Sequence, residues 1–120
     1  MMQDMNAFVA AWEAAWNRHD IEAVLAHFAD DAVFASPIAA KLLPESQGRV
    51  AGKAAIRAYW QKGLALNPAL RFKVARTFAG VDIVVIEFLN EKGQTRAEVL
   101  KFRDGQVVEG YGTDQISAVI

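Results

Sequence analysis

The stretch VDIVVIEFLNEKGQTRAEVLKFRDGQVVEGYGTD, residues 81–114, decides the fold. It contains three runs rich in β-branched and aromatic residues, separated at Lys92-Gly93 and Asp104-Gly105. Such glycine-containing pairs between apolar runs are hairpin signals. A fourth run, LRFKVARTF (70–78), precedes it, with Ala79-Gly80 as the break. The second half of the chain therefore reads as an antiparallel meander.

The first half has helical periodicity. From Asp4 to Arg18, Phe8, Ala11, Trp12, Ala15 and Trp16 recur at spacings of three and four, with Asp4 as N-cap. Asp20 caps a second short helix with Val24, Leu25 and Phe28 on its buried side. AVFAS (32–36) alternates as a strand. Gly52 opens a third helix carrying Ile56, Tyr59, Trp60 and Leu64, and Asn67-Pro68 ends it. Between these elements, PIAAKLLPESQGRVA (37–51) has no clear period. It reads either as a lid over a site or as a solvated connection with a little helix. Helices first and a meander after predict an α+β fold, with three N-terminal helices packed on one face of a curved antiparallel sheet.

The 120 residues fit one domain, 1–120. Just over half are apolar, enough for a core that buries about two thirds of the unfolded surface. The formal net charge of −1, with no basic block, argues against nucleic acid as a partner. Without cysteine there is neither a disulfide nor a thiolate metal site. MMQDMNAF lacks the pattern of a signal peptide, and no apolar run approaches the ~20 residues that cross a bilayer. A cytoplasmic protein that does not engage membranes is expected. His19 and His27 have no second ligand at metal spacing, and the eight glycines form no phosphate loop. No metal and no cofactor is expected.

Hairpin arithmetic assigns faces. A two-residue turn at Lys92-Gly93 sets Glu87 opposite Glu98 and Val85 opposite Leu100. One face then carries Ile83, Val85, Glu87 and Leu89 with Arg96, Glu98, Leu100 and Phe102. Two like charges facing each other in an apolar wall imply a raised pKa or an offsetting cation. The opposite face is also apolar, which predicts a homodimer through the sheet. At Asp104-Gly105, a three-residue turn with Gly105 as a bulge puts Gly110, Gly112 and Asp114 on the inner face and leaves room for a ligand. A type I′ turn would instead bring in Glu109 and Tyr111.

The patterns WEAAWNRHDIEAVLAHFADDAVFASP (12–37), GRVAGKAAIRAYW (48–60) and VVEGYGTDQ (107–115) resemble the nuclear transport factor 2-like superfamily, and within it the SnoaL-like branch. The resemblance covers nearly the whole chain. It implies a cone of three helices around a curved sheet with a deep pocket, in a dimer. Its activities include isomerases, polyketide cyclases, dehydratases, epoxide hydrolases and non-catalytic binding domains. Matched to ketosteroid isomerases, the base aspartate becomes Ser36, the helix tyrosine Trp12 and the protonated aspartate Leu100, so that chemistry is not expected. Epoxide hydrolases of this fold set an arginine between two carboxylates as Arg-x-Asp. The matching stretch here is Val85-Ile86-Glu87, while Arg96-x-Glu98 has the spacing one strand over. In SnoaL-like cyclases an acid/base aspartate on the last strand matches Asp114, and their histidine matches Gly110.

These readings converge on a small, largely apolar ligand and cofactor-free acid/base chemistry: isomerisation, cyclisation or dehydration. Glu87, Glu98 and Asp114 are the expected proton carriers, and Ser36 a hydrogen-bond donor. Trp12, Trp16, Phe34, Trp60, Val85, Leu100, Gly110 and Tyr111 are the expected wall. The alternatives are a non-catalytic dimeric binding domain and an epoxide hydrolase.

Overall fold

The computed structural model describes residues 4–117. Helix α1 spans Met5–Asn17, and the Asp4 carboxylate accepts the Ala7 N–H at 3.1 Å as its cap. Asp20 caps α2, Ile21–Leu25, in the same way through Ala23. Strand β1 is Phe28–Ala35, longer than AVFAS and taking in Phe28, which is buried as the first strand residue rather than on a helix. The segment after Pro37 is more ordered than a loop. It contains α3, Pro37–Leu42, a 3-10 turn at Pro44–Ser46, and β2, Arg49–Ala51, which pairs with β1. Helix α4, Lys53–Leu66, follows Gly52, whose φ of 90° suits glycine. The expected three helices are thus four.

Strands β3 (Lys73–Gly80), β4 (Ile83–Leu89), β5 (Thr95–Arg103) and β6 (Gln106–Asp114) complete a six-stranded sheet of order β2-β1-β6-β5-β4-β3. All neighbours are antiparallel except β1 and β6, which run parallel. Phe8, Trp12, Leu25, Ile56 and Trp60 from the helices meet Val84, Ile86, Phe88, Leu100 and Phe102 of one sheet face in a single core. No helix among the described residues is long and apolar enough to cross a membrane.

Three turns differ from expectation. The first hairpin turns at Val81-Asp82 rather than Ala79-Gly80, since Gly80 pairs with Ile83. The second closes with three residues, Glu91 to Gly93: Asn90 donates its N–H to Gln94 O at 3.0 Å, and the Asn90 side chain accepts the Lys92 and Gln94 N–H groups. That extra residue slips the register by one. Glu98 pairs with Ile86, Leu100 with Val84 and Glu87 with Ala97. A one-residue slip moves every side chain of one strand to the other face. Val84, Ile86 and Phe88 therefore face the core, and Ile83, Val85 and Glu87 face away.

The third turn is the two-residue type, with Asp104 and Gly105 at φ 52° and 79°. The compensating irregularity lies further along, where Lys101 pairs with Glu109 but Phe102 with Val107. Gly110, Gly112 and Asp114 reach the inner register opposite Leu100, Glu98 and Arg96 by this bulge, not by the turn.

Candidate functional site

A cavity of about 370 Å³ opens between the helices and the inner sheet face. Its aromatic wall comes from Trp16 on α1, Phe34 on β1, Trp60 on α4, Phe72, and Phe88 on β4. These rings interlock: Trp16 and Trp60 lie edge-on at 4.9 Å, Phe34 and Trp60 edge-on at 5.5 Å, and Phe72 and Phe88 tilted at 4.4 Å. Its polar lining includes Glu98 and Arg96 on β5, Tyr59 on α4, and Ser36.

Glu98 is 8 % exposed, the one buried charged side chain among the described residues. Its Oε2 accepts a hydrogen bond from Trp12 Nε1 at 3.2 Å. Loss of solvent pushes its carboxyl up to about 7, with the Trp12 bond pulling the other way. A carboxyl poised there holds or releases a proton near neutral pH.

Ser36 ends β1 and caps α3, its Oγ accepting the Ala39 N–H at 3.0 Å, with Pro37 at the first helical position. The same Oγ lies 2.9 Å from Tyr59 Oη. Ser36 is therefore anchored on two sides, and Tyr59 is the second member of the cavity's hydroxyl pair. Burial pushes the Tyr59 phenol up; the Ser36 bond opposes this, the charge of Glu98 adds to it, and the charge of Arg96 opposes it.

Arg96 donates from Nη1 to Asp114 Oδ1, and its side chain is 24 % exposed. Arg96 and Gln94 also line a second, polar hollow of about 510 Å³ with Lys41, Asp114 and Gln115.

Several expected site residues stand elsewhere. Glu87 lies on the outer face, held by Arg76 through bonds of 2.8 and 3.0 Å, because the hairpin closes with one more residue than assumed. Val85 and Tyr111 share that outer face, opposite Val99 on either side. Trp12 and Leu100 are buried behind the cavity wall rather than in it. Gly110 and Gly112 are closely approached by neighbours: a Cβ on Gly110 would lie 2.7 Å from the Phe34 ring, and one on Gly112, which lines the cavity, 2.9 Å from Ser36 Cβ. Their missing side chains let β1 close over β6. Asp114 is at the second hollow, 43 % exposed, and reaches the first through Arg96. Glu98, Ser36, Trp16, Phe34 and Trp60 do meet at the cavity.

Tyr59 and Phe88 are site residues that the sequence reading did not single out. Tyr59 sat in an apolar helical stripe, and Phe88 was assigned to the wrong face by the slipped register. The His19 ring bonds Leu70 O at 2.9 Å, and His27 packs edge-on against Phe8 at 5.1 Å. Among the described residues no three histidine or acidic side chains gather to hold a metal ion.

A family model for the SnoaL-like domain matches residues 9–110. A solved SnoaL-like protein of unknown function from Burkholderia thailandensis is 38 % identical, with 89 % of this chain and 90 % of that one covered and a TM-score of 0.84. A ketosteroid isomerase-like protein from Catenulispora acidiphila, solved with trimethylamine, is 20 % identical over 91 % of this chain and 85 % of that one, TM-score 0.70. TerC, co-crystallised with polyporic acid, is 17 % identical over 89 % and 88 %, TM-score 0.72. No curated protein matches the chain. The chain belongs to the SnoaL-like family, with the nuclear transport factor 2-like fold.

Proposed function

We propose that the inner cavity binds a small, flat, largely apolar molecule and performs cofactor-free acid/base chemistry on it, of the isomerase, cyclase or dehydratase type. The observation that carries this is Glu98, a carboxyl with a single hydrogen bond among the described residues, in the wall of an aromatic cavity. A buried carboxyl costs stability, so its position against such a wall favours a chemical role over a structural one. Glu98 takes a proton from a carbon made acidic by a neighbouring carbonyl and returns it elsewhere on the product. The Tyr59–Ser36 pair donates a hydrogen bond to the carbonyl oxygen as charge develops on it. The volume lies at the low end of the roughly 300–1,000 Å³ of small-molecule sites. That solved relatives hold polyporic acid and trimethylamine supports a ligand-binding use of the fold.

The test is hydrogen exchange. Small cyclic aryl ketones are incubated with protein in heavy water, and loss of the proton beside the carbonyl is followed by NMR. Exchange that Glu98→Gln lowers by ~10²-fold or more supports the proposal. A ketone that binds without exchanging leaves a non-catalytic binding domain.

A second reading is epoxide hydrolysis. It is favoured by Arg96, which shares the inner face with Glu98 at a spacing of two and pairs with Asp114 on the next strand. Asp114 would take a proton from water, the water oxygen would bond a ring carbon as its C–O bond breaks, and Glu98 would protonate the leaving oxygen. Label from heavy-oxygen water in a diol product identifies this reaction.

We further propose a homodimer through the outer sheet face, in a cytoplasmic setting consistent with the absence of cysteine.

A further inference from the structure

Among the described residues, Arg96 and Gln94 border both the aromatic cavity and the polar hollow. The Arg96 guanidinium has five N–H donors in a planar fork. Among the described residues it makes one bond, from Nη1 to Asp114. The Asp114 carboxylate holds the group from the β6 side, since the two residues are register partners. The Arg96 side chain is half-buried, and a charge-assisted bond gains from partial desolvation. Tyr59, whose hydroxyl feels the Arg96 charge, belongs to the same cavity. Lys41 and Lys92 add positive charge along the two rims. Glu91, also on the rim, is already engaged by the Asn67 side chain at 3.1 Å and the Arg71 N–H at 3.4 Å.

An apolar ligand alone would bring no acceptor to the guanidinium of Arg96, which lines the cavity. Resting on the reading of the cavity as a small-molecule site, we infer that its ligand is an aryl carboxylate: a flat ring system seated among Trp16, Trp60 and Phe72, with the carboxylate on the fork of Arg96 where the two hollows meet. Arg96 then sets which substrates enter. It discriminates a carboxylate from a neutral ring of equal size, and the fork favours a coplanar pair of oxygens over a single one.

The test uses 2-naphthoate and 2-naphthamide, matched in shape and different in charge. Binding is followed by calorimetry at about pH 6, where Glu98 keeps its proton and does not repel the acid. The acid is expected to bind about tenfold tighter than the amide or better. Arg96→Gln is expected to abolish that preference, the acid losing more affinity than the amide. Arg96→Lys, which keeps the charge but loses the fork, is expected to retain only part of it. Should Arg96→Gln fail to fold, the comparison of acid and amide on the unaltered protein decides alone. An amide that binds as tightly as the acid overturns the carboxylate inference and leaves the cavity reading standing. Binding of neither overturns both.

Discussion

Trp12 Nε1 donates to Glu98 Oε2 at 3.2 Å, joining residues 86 apart in the chain and fixing a buried carboxyl between α1 and β5. The bond is one neutral donor to a group that in water has several. It offsets only part of the lost hydration, so the carboxyl is held at about 7. An acid whose pKa is higher folded than unfolded binds more protons in the folded state between the two values. Stability therefore falls as pH rises from the ordinary carboxyl value of 4.5 to about 7, and levels off above it. The loss is on the order of 3 kcal/mol. Urea unfolding at about pH 5 and about pH 8 should show it for the native chain and not for Glu98→Gln. Equal pH dependence in both proteins would place the titrating group elsewhere.

The same bond makes a second, opposite test. Trp12→Phe keeps most of the ring volume and removes the N–H. The Glu98 carboxyl is then expected to titrate above about 7, because the Trp12 hydrogen bond that stabilises its charged form is gone. Stability near neutral pH should fall by about 1–3 kcal/mol, the cost of leaving a buried polar group unpaired. NMR titration of the Glu98 carboxyl carbon reads the shift directly. A downward shift would show that Trp12 does not support the ionised form.

Gly112 and Gly63 predict contrasting outcomes for one substitution. A Cβ at Gly112 would lie 2.9 Å from Ser36 Cβ, so Gly112→Ala must displace Ser36 from its 2.9 Å approach to Tyr59. A loss of about 1–3 kcal/mol is expected from overpacking. At Gly63, inside α4, nothing lies within 4 Å of the added carbon. Gly63→Ala should stabilise by about 0.5–1 kcal/mol, the helical penalty of glycine. Thermal melts of the two variants separate these cases; a stabilised Gly112→Ala would mean β1 does not close on β6 as described.

What the sequence could reveal depended on whether a feature was local. Helix stripes, caps at Asp4 and Asp20, and the meander are set by residues within a few positions, and each was legible. The register of β4 against β5 hung on one residue of turn length. Asn90 caps that turn by accepting two N–H groups, a role that Lys92-Gly93 alone does not signal. The slip moved Glu87, Val85 and Phe88 to the wrong faces at once. Ser36-Pro37 illustrates a missed local signal: serine before proline is a helix start, and Ser36 caps α3. The Glu98–Trp12 and Ser36–Tyr59 pairs are contacts across the fold, with no spacing rule that could announce them. At the position matched to the isomerases' protonated aspartate stands Leu100, and the buried carboxyl of this chain, Glu98, lies two residues before it.

The outer sheet face makes the last prediction. Register places Phe78, Val85, Val99 and Tyr111 in one row across four strands, β3 to β6. Phe78 is 56 % exposed. Contiguous apolar surface on a sheet face is the kind that a second chain covers, and isologous pairing lets one row meet its own copy. Charges flank the row in pairs already satisfied within the chain, Arg76 with Glu87 and Lys101 with Glu109, so burying them between subunits leaves none unpaired. Analytical ultracentrifugation at micromolar concentration should give the mass of two chains. Val85→Lys, which sets a charge at the middle of the row, should give one. Because Val85 faces away from the aromatic cavity, ligand affinity should persist in the monomer if each cavity is complete in one chain. A native chain that sediments as a monomer would show that the row is open to solvent and that the fold tolerates it without a partner.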